Sequence, residues 1–191
     1  ARLVTPDGVF SPMTRVLVAG DEIGIFDSVH TVAERGFVLR NSQLFGDATV
    51  SLLRRMRIGV VGVSGTGSIV AELLTRLGVG ELVLVDPDWI EEKNLNRIVN
   101  AREADVGRPK VERAAEAIKE TGLGTRVIAV AKNMATSGSV AAIASCDAVF
   151  GCVDGAEGRN LINRVSTFYH VPYVDVGVKL EADGKGGIDQ I

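Results

Sequence analysis

Short runs rich in valine and isoleucine alternate with helical patterns from residue 58 to the end of the chain. This alternation is typical of βαβ units, in which parallel strands form one sheet and the connecting helices cover it. The predicted strands lie at residues 58–63, 81–86, 126–131, 147–153 and 172–178. The predicted helices lie at residues 68–77, 109–121, 138–145 and 158–169. We therefore expect an α/β fold with a doubly wound, mostly parallel sheet and helices on both faces.

The first predicted helix, residues 68–77, carries Ile69, Leu73 and Leu77 at four-residue steps, with Val70 and Leu74 beside them, so one of its faces is apolar. Gly78 follows the last turn and is expected in the left-handed conformation that ends many helices. Residues 188–191 follow a glycine-rich turn and are predicted to form a further strand.

The pattern changes before the first strand of the sheet. Residues 15–19 and 23–26 are predicted to form a small hairpin, and residues 41–53 a helix that leads into the sheet. The simplest organisation is an N-terminal extension of hairpin and helix, residues 1–57, followed by one main domain, residues 58–191.

Charge and hydropathy argue against two kinds of partner. The chain has 21 lysines and arginines against 24 aspartates and glutamates, a formal net charge of −3, whereas nucleic-acid binders present a basic face. No apolar run approaches the roughly 20 residues of a membrane span, and the first residues lack the apolar stretch of a signal peptide. We expect a fragment of a cytoplasmic protein that binds neither nucleic acid nor membrane. Its two cysteines, Cys146 and Cys152, form no CxxC pair, so no zinc is expected within this stretch.

A glycine-rich loop at residues 62–68, Gly-Val-Ser-Gly-Thr-Gly-Ser, joins the first predicted strand to the first helix. Glycine lets backbone N–H groups approach a phosphate, and the helix N-terminus, which Ser68 would cap, adds partial positive charge. Asp86 ends the next strand, where the acid of a Rossmann-like dinucleotide fold bonds a ribose hydroxyl. Strand-to-helix turns need glycine anyway, but together with Asp86 the loop predicts nucleotide binding. The dehydrogenase pattern GxGxxG would require glycine at position 64, but this residue is serine. The mismatch weakens an NAD interpretation.

Five marked segments follow one another in order, at residues 62–68, 86–88, 94–98, 105–110 and 152–154. They resemble, in the same order, a GxGGxGS loop, a strand ending in DxD, an NLxRQ segment, a DxGxxK stretch and a later strand ending in CTD. This is the pattern of the ThiF/MoeB/HesA family, the bacterial relatives of ubiquitin-activating enzymes. The resemblance runs from about residue 58 to the end of the chain.

The resemblance implies a carboxylate adenylation: the C-terminal carboxylate of a small ubiquitin-like protein or peptide, ending in glycine, attacks the α-phosphate of ATP and pyrophosphate leaves. It implies that Asp86 holds the ribose and that Asp154 binds Mg²⁺. The phosphate contacts that it implies come from Asn94, Arg97 and Lys110. Arg97, Lys110 and Asp154 would be the catalytic residues, in a homodimer. The remaining nucleotide-binding positions would be Gly62, Gly65, Thr66, Gly67, Ser68 and Asp88.

The same residues also have plain structural interpretations. Lys110 would be a solvated lysine, although a helix start disfavours a cation. Arg97 would form a surface ion pair with Glu91 or Glu92, and Asp154 would be an ordinary turn acid. Loop, turn or core roles are the alternatives for Asn94, Asp88 and Cys152, while His30 and His170 match no catalytic spacing.

The chain departs from the family pattern at several positions. Ser64 replaces a glycine of the loop, and Ile98 replaces the glutamine of NLxRQ. Many members carry an RxxRQ element whose arginine reaches the partner subunit's active site. Here Leu39 and Ser42 stand at the arginine positions, with Arg40 as the nearest basic residue. The family's zinc-binding CxxC pairs and acyl-accepting cysteine are expected beyond the end of this sequence.

Three functions stay open on the sequence. An ATP-dependent adenylyltransferase is favoured by the five ordered segments. A nicotinamide-dependent oxidoreductase is favoured only by the glycine-rich loop and Asp86. A non-catalytic nucleotide-binding module is favoured by the missing RxxRQ arginines.

Overall fold

The computed structural model describes residues 36–177 in full, together with Gly187 and the backbone of the short strands on either side. It forms two compact units, Ala1–Leu39 and Arg40–Ile191. The first unit has two antiparallel strand pairs, which are β1 (Arg2–Val4) with β2 (Phe10–Pro12) and β3 (Arg15–Ala19) with β4 (Ile23–Asp27). The second pair is the hairpin that the sequence predicts.

Two short helices, α1 (Leu39–Phe45) and α2 (Asp47–Leu53), precede the sheet. The sequence predicted one helix over residues 41–53, and that prediction was wrong at Gly46. This glycine has φ of 81°, a left-handed conformation that glycine adopts at little cost but that interrupts an α-helix.

These helices pack with the unit that contains the sheet. Val50 is buried, Leu53 packs against the core of the sheet, and Asn41 Nδ2 donates to the carbonyl of Leu77, 3.1 Å away. The compact units therefore divide after Leu39, whereas the sequence interpretation placed the boundary after residue 57.

The main sheet has five parallel strands. They are β5 (Arg57–Val61), β6 (Glu81–Val85), β7 (Arg126–Val130), β8 (Ala148–Gly151) and β9 (Tyr173–Asp175). Their order across the sheet is β7-β6-β5-β8-β9. The connecting helices are α3 (Gly65–Leu77), α4 (Lys110–Glu120), α5 (Ser137–Ala144) and α6 (Ala156–Tyr169). A last antiparallel pair follows, β10 (Glu181–Ala182) with β11 (Ile188–Gln190). None of the helices described is both long and apolar enough to cross a bilayer.

The helices cover both faces of the sheet. Successive side chains of a strand point to opposite faces, so Leu82 and Leu84 of β6 pack in one core cluster with α3 and α4. Val83 and Val85 pack in a second cluster with α5 and α6. All four side chains are buried, each contributing about 1.5–3 kcal/mol by leaving water. The predicted α/β fold, doubly wound and mostly parallel, is confirmed.

Helix α3 begins three residues before its predicted start. Its N-cap is Ser64 and its first residue is Gly65, so Ser68 lies inside the first turn and does not cap the helix. The predicted end is confirmed, because Gly78 has φ of 95° in the left-handed region.

The apolar residues of α3 are divided between the sheet and the outside, because Val70 and Leu74 pack against the core of the sheet. Ile69 is 48% exposed and Leu73 is 61% exposed, whereas the small residues Ala71 and Thr75 are buried. Small side chains on the inner side let this helix lie close to the strands, and Ile69 and Leu73 form an exposed strip on the outside. An exposed apolar strip of this kind is typical of a protein interface.

Candidate active site

The glycine-rich loop lies where the order of the sheet reverses. β5 is central, and the chain goes to β6 and β7 on one side and to β8 and β9 on the other. In open α/β sheets ligands bind outside the carboxyl ends of the strands at such a switch point. The segments after β5, β6 and β8 all leave from this edge, which brings residues 62–68, 86–97 and 152–156 to one place.

Two glycines of the loop are required by close backbone approaches. Gly62 has φ of 87°, and a Cβ there would lie 2.7 Å from the carbonyl oxygen of Cys152. A Cβ at Gly67 would lie 1.7 Å from the carbonyl oxygen of Gly62. Ser64, by contrast, has φ of −95°, outside the left-handed region that favours glycine. No positive φ therefore requires glycine at this position.

The first turn of α3 is open to a ligand. Its N-cap Ser64 makes no side-chain capping bond, so no cap competes with an anion for the backbone N–H groups. Thr66 is half-buried in this turn. Ser68 is 4% exposed, and its Oγ donates to the carbonyl of Gly65 and accepts from the backbone N–H of Val99, both at 3.0 Å. The Ser68 hydroxyl thus bonds the protein on both sides.

Asp86 joins the loop to the end of β6. Its carboxylate is buried and accepts from the backbone N–H of Val63 at 2.6 Å and of Asp88 at 2.8 Å. Burial raises the pKa of the Asp86 carboxyl, an effect that these two hydrogen bonds and the charge of Lys110 oppose. Asp86 therefore orders the loop from the position where the family holds ribose, and the ribose contact stays a prediction.

Lys110 is buried at the start of α4 and bound to Asp88. Its Nζ lies 2.8 Å from Asp88 Oδ2, and its backbone N–H donates to the Asp88 carbonyl at 3.1 Å. The side chain of Lys110 is 6% exposed and that of Asp88 is 65% exposed. The alternative of a solvated lysine was wrong. Trp89, 58% exposed, forms a bridge to Pro109 beside this pair.

Arg97 lies beside the glycine-rich loop of residues 62–68. A Cβ at Gly65 would lie 3.3 Å from Arg97 Cδ, and Arg97 Nη1 donates to the carbonyl of Lys93 at 2.9 Å. Within the described part of the chain no acidic side chain pairs with Arg97. Glu91 instead pairs with Lys93 Nζ at 2.8 Å, so the predicted alternative of a surface ion pair with Glu91 or Glu92 was wrong.

Asn94 supports the turn that carries Arg97. It is 3% exposed, and its Oδ1 accepts from the backbone N–H of Glu91 at 3.0 Å. The loop-building role is therefore present, and a phosphate contact from Asn94 stays a prediction. Ile98 is 7% exposed, so the position at which the family has glutamine faces the interior here.

Asp154 is exposed between β8 and α6, and among residues 36–177 its side chain has no hydrogen-bond or ion-pair partner. No group of three or more metal-binding side chains occurs in the described residues. A magnesium ion bound with a nucleotide needs only one or two protein carboxylates, because phosphates and waters supply the remaining ligands. A single exposed carboxylate at this edge fits that requirement.

The two cysteines are not poised as nucleophiles. Burial raises the pKa of both thiols, Cys146 and Cys152, to about 12. Arg40 is exposed on α1, the condition that a residue acting on another subunit must meet.

Sequence reasoning missed Arg113, which is 5% exposed on α4 and whose Nε donates to the carbonyl of Asn100 at 3.1 Å. Its position one turn before the buried Ala117 is the signal that could have found it, because a basic residue on the inner side of a helix requires buried partners.

Comparison with known proteins shows which family this chain resembles. The ThiF family model matches residues 38–185. Adenylyltransferase and sulfurtransferase UBA4 of Meyerozyma guilliermondii is 32% identical over 142 residues, which cover 74% of this chain and 33% of that protein. The SAMP-activating enzyme E1 of Haloferax volcanii is 36% identical over 118 residues, which cover 62% of this chain and 44% of that protein. The chain thus spans less than half the length of either relative.

Solved structures of two E. coli proteins are also similar to this chain. E. coli tRNA N6-threonylcarbamoyladenosine dehydratase, TcdA, in complex with ATP matches with a TM-score of 0.69 and 30% identity, covering 77% of this chain and 61% of that one. E. coli MccB with AMPCPP and MccA matches with a TM-score of 0.62 and 26% identity, covering 67% of this chain and 38% of that one. The match of the family model to most of the chain, together with the five segments in order, shows that this chain belongs to the ThiF family.

Proposed function

We propose that this chain forms the nucleotide-binding part of an ATP-dependent adenylyltransferase that activates a carboxylate and releases pyrophosphate. The observation that carries the proposal is the position of Arg97, which lies over Gly65 of the uncapped loop with no acidic partner among the described residues. A guanidinium placed over an anion-binding helix N-terminus is suited to a phosphate. The solved TcdA structure with ATP supports the choice of nucleotide.

The proposed reaction forms a bond between a carboxylate oxygen of the substrate and the α-phosphorus of ATP. The bond from that phosphorus to the bridging oxygen breaks, and its electrons leave with pyrophosphate. Arg97 and Lys110 would stabilise the negative charge that develops on the phosphates, with Lys110 exchanging Asp88 for phosphate. Magnesium held by Asp154 would neutralise part of the phosphate charge. The loop and Asp86 would hold the nucleotide in position.

The carboxylate that we propose belongs to a ubiquitin-like protein or to a peptide with a C-terminal glycine. The names of the relatives support this class, since one is a SAMP-activating enzyme and another a ubiquitin-like modifier-activating enzyme. A second candidate is a carboxylate on a modified tRNA nucleoside, which the match to TcdA favours. The formal net charge of −3 gives this chain less attraction for RNA.

An ATP–pyrophosphate exchange assay on the full-length protein tests the proposal, with ubiquitin-like proteins, glycine-terminated peptides and tRNA offered separately. Asp154→Ala is expected to reduce exchange by about 100-fold or more. The unfolding free energy of the Asp154→Ala variant should differ from that of the wild type by less than about 0.5 kcal/mol, because Asp154 is exposed. Glu157→Ala, which removes an exposed acid from the first turn of α6, is the matched control and should retain exchange.

The outcomes separate the hypotheses. Exchange driven by tRNA alone would select the second candidate. Binding of NADH without binding of ATP would favour the oxidoreductase, and ATP binding without exchange for any carboxylate would favour a non-catalytic module. Either of the last two results would overturn the proposal.

We propose in addition that the protein is a homodimer that uses the exposed strip of α3. Ile69 and Leu73 supply exposed apolar surface, and Arg40 is the exposed residue that would reach the partner's site. Leu73→Lys should shift sedimentation toward monomer at micromolar concentration. Ile128→Lys, at another exposed apolar position on β7, should not. A wild-type monomer at this concentration would contradict the proposal.

A further inference from the structure

Two buried side chains hold one short stretch of backbone directly after Arg97. Ser68 Oγ accepts from the backbone N–H of Val99 at 3.0 Å, and Arg113 Nε donates to the carbonyl of Asn100 at 3.1 Å. Ser68 is 4% exposed and Arg113 is 5% exposed. We call these four residues the Val99–Asn100 clamp.

The clamp connects the two helices that carry the proposed phosphate contacts. Ser68 lies in the first turn of α3, and its Oγ also donates to the carbonyl of Gly65 in the phosphate loop. Arg113 lies in the first turn of α4, which begins at Lys110. Ser68 and Arg113 therefore hold the segment between β6 and α4 against both helices.

The charge of Arg113 is balanced within the same region. Its guanidinium lies 3.5 Å from Asp105, 3.1 Å from Glu116 and 3.1 Å from Glu120. The hydrogen bonds that Arg113 donates to Glu120, and next to Glu116, raise the pKa of Arg113 and oppose the effect of burial. The arginine is thus charged at every physiological pH, and Asn100 receives a permanently charged donor.

The backbone at Asn100 has a left-handed conformation. Its φ is 63°, in a region that asparagine adopts more readily than most other residues with a side chain. Conformations of this kind persist when the surrounding bonds determine them, and they concentrate at functional sites. The bond from Arg113 to the Asn100 carbonyl is the contact that holds this residue from α4.

Arg97 depends on this backbone for its position. Its side chain is exposed, and within residues 36–177 its guanidinium bonds only neighbouring groups, the carbonyl of Lys93 at 2.9 Å and Asn96 Oδ1 at 3.3 Å. Buried Ile98 follows it directly, and the clamp begins at the next residue. A shift of the Val99–Asn100 backbone would therefore move Arg97 relative to the loop that it covers.

We infer that Ser68 and Arg113 are positioning residues for the adenylation, which act on Arg97 through the Val99–Asn100 backbone. The inference rests on the proposed function and adds residues that touch neither nucleotide nor substrate. In this inference Ser68 acts through its hydrogen bonds to Gly65 and Val99, and Arg97 contacts the phosphate in place of Ser68. Misplacement of a reacting or charge-stabilising group by about 1 Å costs on the order of 100-fold in rate, so the clamp is expected to affect kcat more than nucleotide affinity.

A double-mutant cycle with Arg97 tests this inference. Ser68→Ala and Arg113→Gln should each lower kcat for ATP–pyrophosphate exchange by about 10- to 100-fold, with KM for ATP changed by less than about threefold. In an Arg97→Ala background the same substitutions should lower kcat by less than about twofold, because the group that they position is gone. Losses that multiply in full would show that they act independently of Arg97 and would overturn the inference.

Controls separate positioning from stability. Glu120→Gln removes an ion-pair partner of Arg113 but leaves the bond to Asn100, and it should retain wild-type kcat. Amide hydrogen exchange at Val99 should quicken in Ser68→Ala, and unchanged exchange would contradict the clamp whatever the activity. If Arg113→Gln fails to fold, Ser68→Ala alone carries the cycle. A wild-type protein without exchange activity overturns the proposed function, whereas an active wild type with multiplicative losses overturns only the clamp.

Discussion

Replacing Gly67 with alanine should damage the phosphate loop directly. The new Cβ would lie 1.7 Å from the carbonyl oxygen of Gly62, whereas real Cβ atoms essentially never come within 3.0 Å of a heavy atom. The loop or the first turn of α3 must therefore shift by more than about 1 Å, and overpacking of this kind costs about 1–3 kcal/mol or more. Urea unfolding gives the loss of stability, and titration calorimetry with ATP and magnesium gives the loss of affinity, which we expect to be at least tenfold.

Two other glycines provide matched controls. A Cβ at Gly80 would lie 1.9 Å from the carbonyl oxygen of Arg54, so Gly80→Ala introduces a similar clash outside the site. It should lower stability comparably and leave the affinity for ATP unchanged in the folded fraction. Gly138 has nothing within 4 Å of such a Cβ and lies in α5, where alanine should stabilise by about 0.5–1 kcal/mol. The reasoning would be refuted if Gly67→Ala had the same stability as Gly138→Ala. It would also be refuted if Gly67→Ala had the same affinity for ATP as Gly80→Ala.

Further predictions concern ionisable groups. Burial raises the pKa of the Asp86 carboxyl above its ordinary value of 3.8, so the proton is bound more tightly in the folded state. The stabilisation that comes from the raised pKa of Asp86 is therefore complete below pH 3.8 and is lost as pH rises through the folded pKa. Urea unfolding of wild type and Asp86→Asn from pH 4 to 7 should show a difference in unfolding free energy that declines as pH rises. Cys146 and Cys152, with pKa values of about 12, should resist iodoacetamide at pH 8 until urea unfolds the chain, and rapid labelling of folded protein would contradict their burial. Asp88→Asn leaves the buried Lys110 ammonium without its carboxylate and should cost about 1–3 kcal/mol, whereas an equal loss in Lys110→Met would argue that packing dominates.

The sheet and its helices follow from patterns that are local in the sequence. Runs of branched apolar residues fix the strands, and left-handed glycines such as Gly78 mark the ends of helices, so these elements could be predicted. Gly46 interrupts a helix because its φ is positive, and composition does not distinguish such a glycine from one inside a helix. The exposure of Ile69 and Leu73 on α3 could not be predicted either, because they belong to the same apolar pattern as Val70 and Leu74, which pack against the core.

The site was only partly predictable. Ordered segments in the sequence identified Asp86, Arg97 and Lys110, which the fold brings to the same edge of the sheet. The partners of these residues depend on contacts between distant parts of the chain: Asp86 accepts from Val63, and Lys110 pairs with Asp88. Such pairs are set by the tertiary fold, so spacing along one sequence does not reveal them.

Trp89 gives this chain an intrinsic optical probe. It is the only tryptophan in the sequence, it is 58% exposed, and it directly follows Asp88 and itself bridges to Pro109. A solvent-exposed indole at this position is accessible to collisional quenchers, and its emission responds when the adjoining ion pair rearranges. Stopped-flow fluorescence of the unlabelled protein can therefore follow changes around the Asp88–Lys110 ion pair in real time. It can separate the binding of a nucleotide from the chemical step that follows.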